Sequence, residues 1–254
     1  MLTMSVLCLF AFCAGLIDAA VGGGGLIQIP ALFNALPSVP SATLLGTNKV
    51  ASACGTSFAA RTFIGRVSVP WSLVLPAAIS AFAMAFFGAA AVSAVPQSLL
   101  RPLVLVLIIA MAIYTFFKKD FGAVQRPLVI GRREQMLSVL IGGAIGFYDG
   151  LFGPGTGSFL IFLFIRCFAF DFLQASASSK FVNVATNVAA LIFFVPAGKV
   201  LYTTAAPMAA SNMLGAFAGT YVAMKRGAGF IRGLFLCLLV ILIVKLAYDM
   251  VKHG

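Results

Sequence analysis

Apolar residues dominate the chain in long, nearly continuous runs, and polar residues gather in the short intervals between them. Six of these runs can each cross about 30 Å of hydrocarbon as one α-helix, at a rise of about 1.5 Å per residue. These full-length runs are 42–64, 70–94, 98–117, 172–195, 200–224 and 230–251. The pattern predicts an all-α polytopic membrane protein.

Two further apolar segments are interrupted by glycine. In each, an apolar run leads into a glycine-rich break and then a short apolar piece. The runs, breaks and pieces are 2–20, 22–25 and 26–36 in the first segment, and 135–149, 153–157 and 158–168 in the second. No basic stretch precedes the run 2–20, so we interpret it as part of the mature membrane domain rather than as a cleaved signal peptide.

The two broken segments belong to an internal repeat. A shift of 131 residues takes Asp18 to Asp149 and Lys49 to Lys180 without a gap. The same shift superimposes Gly22 on Gly153, Gly24 on Gly155, Pro76 on Pro207, Ser80 on Ser211, Gly88 on Gly219 and Arg101 on Arg232. Since glycine, proline and charged residues are costly to place in a membrane, this agreement predicts two tandem homologous units.

The repeat divides the chain into units at 1–117 and 135–254, joined by a basic linker at 118–134 that we expect in the cytoplasm; together they form one transport domain. If each broken segment crosses the membrane once, each unit has four spans and the units are parallel. If it is a re-entrant hairpin, each unit has three spans and the units are inverted. Inversion places more Lys and Arg residues on the cytoplasmic side, so the positive-inside rule favours inverted repeats with six spans over parallel repeats with eight.

Composition agrees with a membrane location and excludes several functions. The chain is 62% hydrophobic and 9% charged, with a mean hydropathy of +1.10, whereas about a quarter of a soluble domain is charged. The net charge of +11 is concentrated between apolar runs, which indicates cytoplasmic loops rather than nucleic-acid binding. The cysteine and histidine spacing predicts neither a metal site nor a disulfide framework, and no cofactor is expected. Hydrolase and Walker motifs are absent, so we do not expect an enzyme.

The glycine-rich breaks are the first candidate site. Non-helical backbone at membrane depth is tolerated where it is buried in protein or lines a wet cavity. Each following helix begins with free N–H groups and a positive dipole end, which favour an anion, and paired breaks are typical of transporter binding sites. The alternative explanation of these glycines is close packing between helices through small residues. The candidate residues are Gly22, Gly23, Gly24, Gly25, Gly153, Gly155, Thr156 and Gly157.

Each unit also carries a lysine inside a full-length run, at Lys49 and Lys180. Ionisable residues within a span mark a site by default, and these two occupy one repeat position, so they could face a shared cavity. The neighbouring hydroxyl and amide candidates are Thr47, Asn48, Ser178, Ser179, Asn183 and Asn187, with Ser52 and Thr56 matching the last two in the first unit. Such a set of donors suits an oxyanion; the alternative is a lysine that reaches the headgroups from its helix end.

Asp18 and Asp149 end the first run of each unit, just before the glycines. They are candidates for binding a coupling proton or sodium ion. They could also pair with the lysines or cap the following turn, and all three roles are open on the sequence.

These residues resemble the sulfite exporter TauE/SafE family, also called the 4-toluene sulfonate uptake permease family, over nearly the whole chain. The matching motifs are Gly-Leu-Ile-Asp at 15–18, Gly-Thr-Asn-Lys at 46–49, Gly-Phe-Tyr-Asp-Gly at 146–150, Gly-Pro-Gly-Thr-Gly at 153–157 and Ser-Ser-Lys-Phe-Val-Asn at 178–183. The Gly-Thr-Asn-Lys and Tyr-Asp-Gly forms are similar to a branch whose substrates are mostly unassigned. The resemblance implies a multi-pass permease of the bacterial inner membrane that moves sulfite, sulfonates or related organosulfur anions.

The sequence therefore favours a secondary transporter of a small anion, which we expect to be sulfite, a sulfonate or another organosulfur compound, bound between the two breaks and the two lysines. A channel, or a cation- or proton-coupled carrier that uses Asp18 and Asp149, is one alternative; a membrane scaffold without transport is another. The sequence makes no prediction of the oligomeric state. The expected partners are the anionic substrate, the lipid bilayer and, in coupled transport, a proton or sodium ion, with no nucleic acid.

Overall fold

The computed structural model describes residues 2–92, 94–96 and 130–226, together with the single positions 99, 102 and 106. Residues 2–92 and 130–226 form eight α-helices and no strand. The helices are α1 (Leu2–Val21), α2 (Gly25–Ala35), α3 (Ser41–Phe63), α4 (Trp71–Val92), α5 (Arg132–Leu151), α6 (Thr156–Phe168), α7 (Phe172–Phe194) and α8 (Tyr202–Arg226). The predicted all-helical class is confirmed for this part of the chain. The predicted run 230–251, the run 98–117 apart from positions 99, 102 and 106, and most of the predicted linker lie outside the described residues.

The helix ends follow local sequence signals. Helix α1 ends before Gly22, whose φ of +77° is a left-handed conformation that glycine adopts without strain. Helix α5 is followed in the same way by Gly153 and Gly155, with φ values of +87° and +79°. Helix α7 begins after Asp171, whose carboxylate accepts a hydrogen bond from the backbone N–H of Gln174 at 2.7 Å. Asp171 is therefore an ordinary N-cap.

Helix α5 begins at Arg132, inside the segment that we assigned to the linker rather than at the predicted position 135. The backbone N–H of Gly131 donates a hydrogen bond to Glu134 Oε2 at 2.9 Å. This contact satisfies one of the free N–H groups at the helix start, so the helix extends into polar residues that the apolar pattern does not mark.

Matching helices in the two halves of the chain are separated by the same 131 residues. The pair α3 and α7 agrees at both ends, since Ser41–Phe63 and Phe172–Phe194 have one length and this offset. Helices α2 and α6 begin at equivalent positions, as do α4 and α8. The helix pattern thus has the spacing that the predicted repeat requires.

Helices α1 and α8 pack with their backbones in contact and run in the same direction. Gly215 of α8 lies against Phe12 of α1, and Gly219 lies one turn further along, against Leu16. A Cβ atom on either glycine would lie 2.0 or 2.1 Å from a carbonyl oxygen of α1. Because residue numbers rise together along both helices, α1 and α8 are parallel to each other.

Helices α4 and α5 form the equivalent contact. Gly142 of α5 lies against Ala77 of α4, and Gly150 lies two turns further along, against Ala85. Residue numbers again rise together, so these helices are also parallel. In both contacts, the first helix of one half packs along the fourth helix of the other half.

Helix α2 folds back along α1. Ile17, near the end of α1, shares a hydrophobic cluster with Leu26 at the start of α2. Leu7, earlier in α1, shares another cluster with Leu32, later in α2. The order of the partners is reversed, so α1 and α2 form a hairpin that turns at the glycine-rich break.

The exterior is apolar and the interior holds the polar side chains. Three described helices are long and apolar enough to cross a membrane: Thr3–Val21 within α1, Trp71–Val92 and Phe172–Phe194. Large apolar side chains point outward, including Leu9, which is 63% exposed, and Leu140, which is 66% exposed. This arrangement suits lipid as the solvent, so the chain is a multi-pass membrane protein.

The glycine contacts predict that an alanine substitution lowers stability at one position of α5 and not at another position nearby. A Cβ at Gly146 would lie 2.4 Å from the carbonyl oxygen of Ala81, so Gly146→Ala should lower the unfolding free energy by about 1–3 kcal/mol through overpacking. At Gly143 the nearest atom would be Met84 Cγ at 3.6 Å, so Gly143→Ala should leave stability unchanged or slightly raised. Thermal unfolding in detergent compares the two variants, and equal melting temperatures would contradict the close packing of α4 and α5.

Candidate functional site

The two glycine-rich breaks meet each other inside the protein. A Cβ on Gly22 would lie 2.3 Å from the carbonyl carbon of Gly157, so each break excludes side chains at the other. The backbone N–H of Ser158 donates to the carbonyl oxygen of Gly22 at 2.7 Å. The Ser158 hydroxyl donates to the carbonyl oxygen of Val21 at 2.9 Å. These bonds satisfy backbone carbonyls that the end of α1 leaves without helical partners.

One buried ion pair lies beside the breaks. Lys49 Nζ of α3 donates to Asp149 Oδ2 of α5 at 2.6 Å, and the two side chains are 4% and 3% exposed. The other carboxylate oxygen of Asp149 accepts a hydrogen bond from the Thr156 hydroxyl at 2.6 Å. Asp149 is thus held by one ammonium and one hydroxyl.

A second ion pair has the equivalent arrangement. Lys180 Nζ of α7 donates to Asp18 Oδ2 of α1 at 3.0 Å and also donates to the backbone carbonyl oxygen of Asp18. The Lys180 side chain is fully buried, whereas that of Asp18 is 15% exposed. The Thr56 hydroxyl donates to the same carboxylate oxygen at 3.2 Å.

Both ion pairs cross between the two halves of the chain. Lys49 and Lys180 are equivalent under the 131-residue shift, and so are Asp18 and Asp149. Each lysine bonds to the aspartate of the other half. Of the roles that the sequence left open for the aspartates, the geometry shows pairing with the lysines, and these four side chains carry a formal charge of zero together.

A small polar cavity of about 20 Å³ lies between the breaks and the long helices α3 and α7. It is lined by Asp18, Gly22, Gly25, Asn48, Lys49, Ser52, Thr56, Asp149, Gly153, Gly155, Thr156, Gly157, Asn183 and Asn187. The structure therefore brings both predicted breaks, both aspartates and the predicted amides to one place.

One acceptor and two donors at this cavity have hydrogen-bonding capacity left. The side-chain oxygen of Asn48 has no hydrogen-bond partner in the described part of the chain, although Asn48 is only 3% exposed. The backbone N–H groups of Gly25 and Gly157, at the starts of α2 and α6, have no acceptor among the described residues. Asn187 Nδ2 donates to Asn183 Oδ1 at 3.3 Å, which orients both amides along α7.

Six candidate residues do not line the cavity: Gly23, Gly24, Thr47, Ser178, Ser179 and Lys180. Thr47 and Ser178 precede their lysines by two positions, which turns them by about 200° around the helix. The Thr47 hydroxyl instead donates to the carbonyl oxygen of Thr43 and accepts from the N–H of Leu201. The Ser179 hydroxyl donates back to the carbonyl oxygen of Ser176. Lys180 lies behind Asp18 as its ion-pair partner.

Ser158 is a site residue that the sequence analysis missed. It joins the two breaks, but the 131-residue shift pairs it with Ile27, so a search for matching polar residues does not mark it. Its only sequence signal is a hydroxyl that directly follows the second glycine-rich break.

The ion pairs predict a stability pattern that a double-variant cycle can measure. Lys49→Met leaves the Asp149 carboxylate buried without its partner and should destabilise the protein by about 3–5 kcal/mol. Adding Asp149→Asn removes the uncompensated charge and should recover most of that loss. Lys225→Met, at an exposed position near the end of α8, is the control with little expected effect. Additive effects of the two site changes on thermal unfolding would contradict a direct ion pair.

Comparisons with known proteins identify the family of the chain. The family model described as sulfite exporter TauE/SafE matches residues 7–246. The chain is 36% identical over 239 residues to the "Probable membrane transporter protein ORF9" of Sinorhizobium sp., an alignment that covers 94% of this chain and 90% of the relative. It is 34% identical over 256 residues to the "Probable membrane transporter protein YfcA" of Escherichia coli K12, covering 100% of this chain and 92% of the relative.

A third relative, the "Probable membrane transporter protein" of Haemophilus influenzae, is 31% identical over 251 residues and covers 97% of this chain and 95% of its own length. No solved structure matches the chain. The family match spans the helices, both breaks and both ion pairs, so the chain belongs to the sulfite exporter TauE/SafE family of membrane transporters.

Proposed function

We propose that this permease is a secondary transporter of a small oxyanion such as sulfite, a sulfonate or another organosulfur anion, which binds between the glycine-rich breaks and the paired lysines. One observation carries the proposal: two lysines of equivalent position are buried inside the protein, and each bonds to an aspartate that lines one polar cavity. A buried ammonium is costly, so its retention favours a role in binding.

The donor set at the cavity supports an anion as the cargo. Lys49 supplies an ammonium, and Gly25 and Gly157 supply backbone N–H groups at positive helix ends. An oxyanion has several acceptor oxygens and can use such donors at once. A cation as cargo would meet the Lys49 ammonium and the positive ends of α2 and α6 at the same cavity, and these groups support the anion over the alternative in which Asp18 and Asp149 hold the cargo.

The size of the cavity supports a closed state of a carrier rather than an open channel. A volume of about 20 Å³ has room for about one water molecule, and an oxyanion with three or four oxygens needs more. Binding therefore requires the helices around the breaks to separate and at least one ion pair to open. Such a change would expose the site to one side of the membrane at a time.

Inverted repeats are part of this proposal, and the helix directions support them. Helix α1 is parallel to α8, and α4 is parallel to α5, so the first helix of each half points along the fourth helix of the other. The hairpin of α1 and α2 returns the chain to the side on which α1 begins, so α3 runs in the same direction as α1. With α3 and α4 taken as successive crossings, α4 and its parallel partner α5 then run opposite to α1. The hairpin of α1 and α2 agrees with a re-entrant segment rather than a single crossing.

The family description supports the substrate class and the location. That description names sulfite export, and the relatives' names state membrane transport without a substrate. We extend the class to small organosulfur anions because the donors at the cavity recognise charge and oxygen atoms. The bacterial inner membrane is the proposed location.

Transport by the reconstituted protein tests this function. Uptake of labelled sulfite, sulfate and simple sulfonates into proteoliposomes should be measurable for at least one of these anions. Lys49→Met and Lys180→Met should each lower that uptake about ten- to hundredfold, the effect of losing a charge-assisted hydrogen bond. Lys225→Met is again the matched control.

Melting temperatures measured on the same preparations separate loss of transport from loss of folding. Unchanged uptake in both folded lysine variants would show that the anion does not use these lysines. If no anion of the panel moves while the protein is folded, oxyanion transport is wrong.

A further inference from the structure

We propose that the anion enters together with a proton, which binds to the aspartate that the anion displaces from its lysine. This proposal rests on the proposed function, because it assigns a proton-binding role to Asp149, and by equivalence to Asp18, within the same site. It also specifies the coupling ion and the charge that each transport cycle moves.

The first step is the charge balance of the closed site. Lys49, Lys180, Asp18 and Asp149 are the ionisable side chains that meet there, and their formal charges cancel. Helices α2 and α4 carry no ionisable side chain. The other lysines and arginines of the described helices lie in a first or last turn, at Arg61, Arg132, Arg133, Arg166, Lys225 and Arg226, away from the cavity. The described helices therefore offer no further cation to neutralise an added anion.

The second step is the competition for Lys49. Its ammonium is already bonded to Asp149 at 2.6 Å. An oxyanion on the remaining N–H groups of Lys49 would lie beside that carboxylate and be repelled by it, so binding favours replacement of the carboxylate. The displaced carboxylate would keep one hydrogen bond, from Thr156, in a side chain that is 3% exposed. An ionised carboxylate without a cation is strongly unfavourable at such burial, and proton uptake removes that cost.

The third step distinguishes a proton from a sodium ion. Sodium would need several oxygen ligands beside the Lys49 ammonium, in a cavity of about 20 Å³. A proton on Asp149 forms a neutral carboxylic acid and needs no further ligand. Its O–H can also donate a hydrogen bond to the bound anion, where the ionised carboxylate would repel it.

The balance of charges follows directly. One monovalent oxyanion and one proton enter the site, and the sum of the charges at the site stays at zero. Both leave on the other side, where Asp149 loses the proton and bonds to Lys49 again. Transport of a monovalent anion is then electroneutral and driven by the pH gradient rather than by the membrane potential.

Proteoliposomes of the full chain with a pH dye inside can test the coupling. The probes are methanesulfonate, whose charge does not change with pH near neutrality, and sulfite. We expect inward anion flux to acidify the interior. A pH gradient of one unit should drive about tenfold accumulation, because a pH unit is worth about 1.4 kcal/mol. A potassium diffusion potential set with valinomycin should have no effect on methanesulfonate flux.

Asp149→Asn tests the proton-binding role of this residue, since the amide imitates the neutral acid. It should lose accumulation driven by the pH gradient, and the anion exchange that it catalyses should no longer depend on pH. Its melting temperature, measured on the same preparation, shows whether the variant is folded. Asp171→Asn is the matched control, because either residue can cap α7, and it should behave as the wild type.

Three results would overturn the proposal, and they differ in whether the proposed transport function survives. Anion flux that follows the membrane potential without acidification would refute proton coupling and leave the proposed transport function intact, as would full pH-driven accumulation by Asp149→Asn. If folded wild-type protein shows no flux of either anion, the proposed transport function is wrong, and the proposed proton coupling is wrong as well.

Discussion

The burial of charge inside a lipid-embedded protein is the constraint on which the rest of this structure depends. An ammonium at membrane depth must have a counter-charge, and each lysine finds it on the other half of the chain, Lys49 on Asp149 and Lys180 on Asp18. The pairs therefore do more than neutralise charge. They hold α3 against α5 and α7 against α1, so neither half can complete its polar interior alone.

Close backbone contact makes these pairs possible. Glycines of α5 and α8 let the first helix of each half lie against the fourth helix of the other, and Gly22 touches Gly157 where the breaks meet. The breaks thus end α1 and α5 next to the opposing lysine rather than at the membrane surface. The same non-helical backbone leaves N–H groups beside the ion pairs. The breaks therefore bring together the counter-charges of the lysines and the donors that an anion needs.

The sequence predicted the described helices and marked most of the residues that the structure brings together at the cavity, because both depend on costs that are visible in the chain. Glycines and charges within apolar runs marked the breaks, the lysines and the aspartates. The pairing itself was not predictable, since a repeat shows that Lys49 and Lys180 are equivalent but not which aspartate each contacts. Thr47 and Ser178 were expected to join their lysines, yet two helical positions turn them away. Ser158 lacks a counterpart in the other half, and its role depends on a contact across more than a hundred residues.

The most direct test of the account is the binding of an anion to purified protein in detergent, with and without the charges of one pair. A ligand that binds only the folded form raises the melting temperature. Wild-type protein should show this shift with sulfite or methanesulfonate and not with chloride at equal ionic strength. The Lys49→Met, Asp149→Asn double variant, in which the pair is neutral, should lose the shift while remaining folded. A full anion-dependent shift in that variant would contradict the central claim that the crossed ion pairs form the binding site.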